Sequence, residues 1–241
     1  MTAANPFDRP WQNDQVALLI DSFAGNSIDW DKLATETRLV AMIHKATVGT
    51  MRLDPQYLLR KKEAKRRGLL WGSYHWGVSG DAAAQADFYI DTVQPADDEL
   101  MALDLENVTD DALMDAQEAL VFIERVKVRT GRYPVLYTNH ASAKILSERF
   151  SDSAFQETPL WYARFKPAVT DFPTGLWKTY TLWQFSSEIL FQRAVAGTAH
   201  DMDVNVYNGS VDALRAAWPL TTRTTGAVAA AAAAPVVLTA K

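Results

Sequence analysis

The alternation of strand-like and helix-like segments most limits the folds open to this 241-residue chain. Short apolar runs such as "VALLIDSF" (16–23) have the length and composition of buried strands. Eight such segments are predicted, at residues 16–23, 39–47, 69–77, 99–106, 133–139, 159–165, 180–186 and 201–207. Because helix-like segments separate the first five, the pattern favours a largely parallel sheet covered by helices.

The helical segments become shorter along the chain. Helices are predicted over 54–68, 81–93, 109–131 and 140–150, with Asp54 and Thr109 as caps. After residue 159 the connections contain Pro and Gly without a helical period, until "VDALRAAW" (211–218). We therefore predict a single α/β fold, a TIM-like (β/α) barrel of five βα units followed by three strands with reduced helices. An open doubly wound sheet is the alternative, but no Gly-rich phosphate fingerprint follows the first strand.

The predicted barrel spans residues 16–220, between an N-terminal extension (1–15) and a low-complexity, Ala-rich tail (221–241). The apolar part of the tail is shorter than the roughly 20 residues of a membrane span, and Pro235 interrupts it. We expect a flexible tail without stable membrane insertion, with a membrane-proximal segment as the alternative. The N-terminus contains no apolar signal region, so no secretory signal peptide is expected.

Charge and cysteine content exclude several classes of function. With no Cys, the chain has no disulfide, thiolate metal site or Cys nucleophile. The net charge of -5 argues against nucleic-acid binding. The run "RKKEAKRRG" (60–68) is basic, and we interpret it as a solvated helix face, with contact to an anionic polymer as the alternative.

Two carboxylates end the fourth strand, in the segment "ALDLE" (102–106). Because side chains alternate across a strand, Asp104 and Glu106 share one face, while the opposite face is apolar and suits packing against helices. In a barrel the first face points into the lumen, and the carboxyl ends of the strands form the active-site rim. Both carboxylates are therefore predicted to lie at the mouth of a cleft.

Acidic residues also mark the first and last strands. "LLID" places Asp21 at the end of the first strand, and "DMDVN" places Asp203 and Asn205 on one face of the last. Closure of a barrel makes these two strands neighbours, which predicts a cluster with Asp104 and Glu106. Like charges at close range raise one another's pKa, so such a site can hold a proton at neutral pH.

This arrangement suits glycoside cleavage, which needs one carboxylic acid to protonate the leaving oxygen and a second carboxylate nearby. Aromatic residues that could contact sugar rings stand near the same strand ends: Tyr74, Trp76, Tyr137, Trp161 and Trp183. Taken alone, "LDLE" also fits a strand end with caps for the next helix, and Asp21 alone also fits a turn. Acids at three strand ends favour the catalytic interpretation.

The chain resembles the glycoside hydrolase family twenty-five muramidases, the Chalaropsis-type lysozymes, over about residues 16–210. The matching segments are "LLIDSFAGNSIDW", "IHKATVGT", "GLLWGSYHW", "ALDLE", "GRYPVLYTN", "LWYARF", "LWQFS" and "DMDVNVYNG", in this order. The resemblance implies hydrolysis of the β-1,4 bond between N-acetylmuramic acid and N-acetylglucosamine in peptidoglycan. It also implies the barrel with five βα units.

Site residues follow from the same resemblance. It implies that Glu106 is the general acid, that Asp104 assists by orienting the substrate's 2-acetamido group, and that Asp21 and Asp203 shape the electrostatics. The residues implied to contact sugar are Tyr74, Tyr137, Trp161, Gln184 and Asn205. Whether a protein carboxylate or the acetamido group attacks the anomeric carbon stays open. No cofactor or metal is expected.

The resemblance also bears on partners and location. Bacterial peptidoglycan glycan strands are the expected partner, with phage holin or virion proteins as further candidates. The enzyme would act on the cell wall after release from a host cytoplasm or as part of a phage particle. Val48 departs from the family, which usually carries an acid at this position, and no wall-binding repeat follows the barrel.

Three other interpretations are weighed. Chitinase-type barrels also pair Asp with Glu at this strand end, but they need a further Asp where this chain has Ala102. A non-catalytic glycan-binding or virion structural domain on the same barrel is the alternative from another class. The third interpretation is a metal hydrolase built on the four His residues, 44, 75, 140 and 200. They lack the paired spacing of a zinc helix, and those in strands are expected to form hydrogen bonds instead.

Overall fold

The computed structural model describes residues 7–151, 153–186, 195–198 and 202–221. Nine strands lie in these ranges: β1 Val16–Ser22, β2 Leu39–Val48, β3 Arg52–Leu53, β4 Leu70–Trp76, β5 Leu100–Leu105, β6 Val135–Asn139, β7 Leu160–Ala163, β8 Leu182–Ser186 and β9 Asp203–Ser210. The α-helices of the same ranges are α1 Trp30–Leu33, α2 Tyr57–Arg66, α3 Ala82–Val93, α4 Ala116–Thr130, α5 His140–Arg149 and α6 Val211–Ala217. None of the helices in these parts of the chain is long and apolar enough to cross a membrane.

Eight strands close into a barrel in the order β1-β2-β4-β5-β6-β7-β8-β9, and β9 pairs back to β1. The two-residue β3 only extends the edge of β2. Since β1 is hydrogen-bonded on both sides, the prediction of a closed α/β barrel is confirmed and the open-sheet alternative is wrong. Each of the first five barrel strands is followed by a helix, and no α-helix lies between β7 and β9 among the described residues.

The last strand runs in the opposite direction to the others. β9 pairs antiparallel with both β8 and β1, whereas the remaining barrel pairings are parallel. Its first residue, Asp203, therefore lies at the rim formed by the carboxyl ends of the parallel strands, directly opposite Asp21 in β1. An all-parallel barrel would have placed Asp203 at the other end.

Side-chain alternation along each strand divides the core into two layers. In β5, Met101, Leu103 and Leu105 belong to the cluster that packs against the helices. Leu100 and Ala102 belong to the separate cluster inside the barrel. The predicted assignment of faces in β5 is confirmed. The same alternation places Asp104 and Glu106, which continue the inward face, toward the rim.

The segments directly before β1 and after β9 both pack against the barrel. Leu214 of α6 is fully buried in the interior cluster, so α6 closes the end of the barrel opposite the rim. Before β1, the ring of Trp11 stacks on Phe185 at 4.2 Å between centroids. Part of the predicted N-terminal extension is therefore packed on the barrel. The proposed tail lies, except for Thr221, outside the described residues.

The longest helix begins later than predicted. Asp115 is the N-cap of α4, and its side chain accepts a hydrogen bond from the backbone of Glu118, whose side chain accepts one in return. This reciprocal pair satisfies two of the free N–H groups of the first turn. Thr109 is not a cap; it donates to the side chain of Asn107 in the preceding turn.

The basic run around α2 is engaged largely within the protein. Lys61 and Lys65 form ion pairs with the buried Glu99, at 2.8 and 2.6 Å. Arg60 is itself buried, which the solvated-face interpretation did not anticipate. The sequence pattern alone could not separate these lysines and this arginine from solvent-exposed charges, because their partners lie far away in the chain.

Candidate active site

A cavity of about 350 Å³ opens at the rim formed by the carboxyl ends of the parallel strands. Its lining residues are Asp21, Phe23, Lys45, Tyr74, Trp76, Asp104, Glu106, Tyr137, Trp161, Gln184 and Asp203. The cavity contains all the predicted site residues except Asn205. The structure thus brings together side chains from all eight strands of the barrel, or from residues that directly follow them.

Strand register explains how one wall of the cavity forms. Asp104 in β5 is the register partner of Trp76 in β4 and of Tyr137 in β6, and Tyr137 is in turn the partner of Trp161 in β7. Residues in register on neighbouring strands point to the same face of a sheet. The wall therefore consists of one carboxylate with an aromatic ring on one side and two on the other.

Asp21 lies in a network of side-chain amides. The amide nitrogen of Gln184 donates to both carboxylate oxygens of Asp21, at 3.2 and 3.1 Å, and to Asp203 at 3.3 Å. The amide nitrogen of Asn205 donates to Asp21 at 2.7 Å. The hydroxyl of Tyr137 donates to the amide oxygen of Gln184 at 2.9 Å. One amide thus links two carboxylates and an aromatic residue of the cavity.

Burial controls the ionisation of Asp21. Removal from solvent raises the pKa of Asp21 to about 6, and the hydrogen bonds from Asn205 and Gln184 partly oppose this rise. A carboxyl group with this pKa is partly protonated near neutral pH, whereas an exposed Asp would be fully ionised. The network therefore holds a proton-accepting group in a position shielded from bulk water.

Asp104 and Glu106 also hold protons more strongly than ordinary carboxyl groups. Burial, the charge of Glu106 and the charge of Asp21 raise the pKa of Asp104 well above its usual range. Burial and the charge of Asp21 raise the pKa of Glu106, while Lys45 opposes the rise in both. Oδ1 of Asp104 is buried and accepts no hydrogen bond from the described residues. The site therefore contains a buried acceptor without a partner among the described residues, and two neighbouring acidic groups with a raised pKa.

Lys45 was not identified from the sequence. Its ammonium nitrogen lies 4.5 Å from the ring centroid of Phe23 and 4.9 Å from that of Trp76, so two aromatic rings hold it at the rim. Among the described residues that line the cavity, Lys45 is the one cation. The signal in the sequence was its position on β2, where it continues the inward face that carries Ala41 and Ile43.

The loop after Asp21 is fixed from below by buried polar groups. The guanidinium of Arg60 donates to the carbonyl oxygens of Phe23 and Asn26. A carboxylate oxygen of Asp54 accepts a hydrogen bond from the N–H of Ala24 at 2.9 Å. The other carboxylate oxygen of Asp54 accepts from the N–H of Gln56 at 2.9 Å, so Asp54 links the residue before α2 to this loop. The predicted cap at Asp54 is wrong, because α2 begins at Tyr57 and its N-cap is Gln56, without a side-chain cap bond.

Some predicted positions lie elsewhere. Asn205 is fully buried and does not line the cavity; its side-chain oxygen accepts a hydrogen bond from Nε1 of Trp161 at 2.6 Å. Trp183 faces outward from the barrel and packs on Trp11 and Tyr180, so its expected place near the sugar site is wrong. Trp183 faces outward because its neighbour in β8, Gln184, faces inward. Asn205, the register partner of Gln184, also faces inward but reaches the site only through its hydrogen bond to Asp21.

The histidines in strands form hydrogen bonds, as predicted. Nδ1 of His44 donates to the carbonyl of Lys45, and His75 bonds Thr47 and Gln85 through its two ring nitrogens. Burial lowers the pKa of both His44 and His75 to about 4, so both rings are neutral at physiological pH. His200 lies outside the described residues.

The chain is similar in sequence to known proteins. The model of the family "Glycosyl hydrolases family 25" matches residues 20–193. The uncharacterized protein YegX of Escherichia coli is 28% identical over 195 residues, which cover 78% of this chain and 68% of YegX. Lysozyme M1 of Streptomyces globisporus is 27% identical over 203 residues, covering 79% of this chain and 67% of that protein.

A solved structure extends the likeness to the fold. The bacterial lysozyme from Streptomyces coelicolor superposes with a TM-score of 0.71 at 25% identity, covering 85% of this chain and 97% of the other. Because the family match includes most of the barrel and its carboxylates Asp21, Asp104 and Glu106, the chain belongs to glycosyl hydrolase family 25 and is a glycoside hydrolase.

Proposed function

We propose that this enzyme is a peptidoglycan hydrolase, an N-acetylmuramidase that cleaves the β-1,4 bond between N-acetylmuramic acid and N-acetylglucosamine. The observation that carries the proposal is the pair Asp104 and Glu106, both with a raised pKa, at an aromatic-lined cavity. Family membership and the likeness to lysozymes of Streptomyces support the choice of substrate.

Glu106 acts as the general acid in this proposal. It directly follows β5, lines the cavity, and is less buried than Asp104. Its raised pKa keeps a proton available for the glycosidic oxygen, which leaves as a hydroxyl group on the released sugar. General acid–base groups typically contribute about 10²–10⁴-fold to the rate.

Asp104 orients the 2-acetamido group of the muramyl sugar. Its Oδ1 lacks a partner among the described residues, and a substrate N–H would supply one. A hydrogen bond to a carboxylate favours its ionised form, so substrate binding would lower the pKa of Asp104, while Glu106 keeps its proton for the leaving oxygen. The oriented acetamido oxygen then attacks the anomeric carbon as the glycosidic bond breaks, and water later opens the resulting ring.

Asp21 is unsuited to act as the nucleophile itself. Both of its oxygens accept hydrogen bonds from Gln184, and one also accepts from Asn205. We propose that Asp21 and Asp203 instead provide negative charge that stabilises the oxocarbenium-like transition state. Gln184 and Asn205 hold these carboxylates in place, and Asn205 does so from beneath the cavity.

The aromatic wall contacts the sugar rings. Tyr74, Trp76, Tyr137 and Trp161 line the cavity, and the rings of Tyr137 and Trp161 meet edge to face at 4.9 Å. Rigid aromatic surfaces bind at a low cost in conformational entropy, so this wall suits the flat faces of pyranose rings. Trp76 joins the residues proposed to contact sugar.

The product of the reaction tests this proposal. Purified peptidoglycan is digested, the new reducing ends are reduced with borohydride, and the fragments are analysed by mass spectrometry. Reduced muramic acid at the ends supports the proposal. Reduced glucosamine at the ends, or free peptides, would contradict it. A non-catalytic glycan-binding domain would sediment with the wall and release no fragment at all.

A further inference from the structure

A second cavity, of about 670 Å³, adjoins the catalytic one on the same rim. It lies between the β2–β3 hairpin and the loop that joins β4 to α3. Its lining residues are Val48, Gly49, Thr50, Met51, Arg52, Val78, Ser79, Asp81, Ala84 and Gln85. None of the side chains assigned above to catalysis or sugar contact lies in this cavity.

Trp76 separates the two cavities. Its ring lines the catalytic cavity, and its carbonyl oxygen accepts a hydrogen bond from the N–H of Gly49, which lines the second cavity. Two residues further along the chain, Val78 lies 3.2 Å from where a Cβ at position 49 would stand. A substrate held in the catalytic cavity therefore has a neighbouring space within reach.

The floor of the second cavity is held by a buried amide. The side chain of Gln85 donates to the carbonyl of Val78 at 2.8 Å and accepts from the N–H of the same residue at 3.2 Å. Gln85 also bonds the neutral ring of His75 at 3.1 Å. This network ties the β4–α3 loop to the barrel, so the cavity is formed before any ligand binds.

The lining chemistry differs from that of a sugar site. None of the described residues that line this cavity is aromatic, and Val48, Met51, Val78 and Ala84 form aliphatic walls. The carboxylate of Asp81 already accepts a hydrogen bond from the backbone of Ala84. These walls suit small methyl-bearing groups better than a pyranose face.

Arg52 supplies the positive charge of this cavity. Its guanidinium forms no hydrogen bond or ion pair with the described residues, and the residue is exposed. In the hairpin, Arg52 is the register partner of Val48, so the cation stands beside the aliphatic wall. An arginine fork binds carboxylates with two parallel hydrogen bonds.

We propose that the second cavity binds the peptide stem of the peptidoglycan strand whose sugar chain occupies the catalytic cavity. The stem is a short peptide rich in alanine, joined to the muramyl sugar next to the scissile bond, and it carries free carboxylates. Its methyl groups contact the aliphatic walls and a carboxylate pairs with Arg52. This inference rests on the proposed muramidase function.

The test compares two substrates that differ only in the stem. Soluble glycan strands are prepared with their stems intact or with the stems removed by an amidase, and kcat/KM is measured on each. The wild-type enzyme is expected to prefer the stem-bearing strands. Arg52→Ala is expected to lower this preference about tenfold, because it removes the hydrogen bonds of an exposed, solvent-screened ion pair with the stem carboxylate. Arg52→Lys, which keeps the charge, should retain part of it.

Two further variants sharpen the comparison. Val48→Glu places a carboxylate opposite Arg52 and is expected to reduce the preference without removing the arginine. Arg149→Ala, an exposed arginine on α5 away from both cavities, is the matched control and should leave the preference unchanged. An equal fall in Arg149→Ala would contradict the proposal.

The two proposals fail in distinguishable ways. If the wild-type enzyme cleaves neither substrate, the muramidase function is wrong and the stem site with it. If the enzyme cleaves both substrates without preference, or if Arg52→Ala and Val48→Glu keep the wild-type preference, only the stem site is wrong. Circular dichroism of each variant shows whether it is folded, and Arg52→Lys replaces Arg52→Ala if the latter is not.

Discussion

Asp21 should make the protein less stable at neutral pH than at acidic pH, and Asp21→Asn should remove this dependence. The folded pKa of Asp21, about 6, lies above the ordinary Asp value of 3.8. Below pH 3.8 the group is protonated in both the folded and the unfolded chain, so it costs nothing. Between the two values the unfolded chain releases the proton and the folded chain keeps it, so the free energy of unfolding falls as pH rises.

The size of the effect follows from the same two values. Because one pKa unit corresponds to about 1.36 kcal/mol, the rise of the Asp21 pKa from 3.8 to about 6 corresponds to about 3 kcal/mol above pH 6. The side-chain amide of the Asp21→Asn variant cannot ionise and avoids this loss. The charge of Asp21 also raises the pKa of Asp104 and Glu106. Removing this charge therefore lowers both pKa values and adds to the gain in unfolding free energy at neutral pH.

The variant also changes the hydrogen bonds around position 21. Its amide has only one oxygen to accept from Gln184 and Asn205, so one donor loses its partner, at about 1–3 kcal/mol. This cost is largely independent of pH. The stability of the variant relative to wild type is measured at pH 4 and at pH 7.5. Because the hydrogen-bond cost is the same at both pH values, it cancels when the two relative stabilities are subtracted.

Urea denaturation followed by tryptophan fluorescence gives these differences. The free energy of unfolding of Asp21→Asn, relative to wild type, should increase by about 2–3 kcal/mol between pH 4 and pH 7.5. Asp111→Asn, at an exposed position, makes the same change of charge and should show no such increase. A relative stability of Asp21→Asn that stays constant, or decreases, over this range would refute the reasoning.

Three further predictions concern the reaction. Glu106→Gln should lower kcat by about 10²–10⁴-fold on peptidoglycan without lowering the thermal unfolding midpoint, and retained wild-type activity would remove Glu106 as the acid. Asp104→Asn should lower kcat at least about a hundredfold, since a neutral amide oxygen accepts the acetamido N–H more weakly than a carboxylate and cannot take up its proton; a loss below about threefold would exclude this role for Asp104. Lys45→Met should move both limbs of the pH profile of kcat/KM to higher pH, because Lys45 lowers the pKa of Asp104 and of Glu106. A profile that stays in place, or moves to lower pH, would show that Lys45 does not set these values.

Local sequence patterns were enough to predict most of the strands and the faces of β5. The two-residue spacing of Asp104 and Glu106 fixes both on the inward face, because side chains alternate along any strand. Helix starts were predicted less well. Thr109 and Asp115 both suit a cap, and only the reciprocal bond with Glu118 decides between them.

Other features depended on residues that are distant in the sequence. Lys45 is a single lysine in an apolar strand, and nothing near it indicates that the rings of Phe23 and Trp76 would hold it beside two carboxylates. Arg60 belongs to a basic run whose composition suggests solvent, yet it is buried under the loop that follows Asp21. Each outcome was set by packing against partners elsewhere in the chain.

The sequence by itself determined that this chain forms a helix-covered sheet with acids at the ends of its strands, because strand and helix periods are local properties of the chain. Only the tertiary structure decided that the last strand runs antiparallel, so that Asp203 meets Asp21 at the rim. The direction of a strand depends on which neighbours complete its hydrogen bonds, and barrel closure supplies those neighbours. The same closure buries Asp21 and raises its pKa, so the ionisation of the site is a property of the folded barrel.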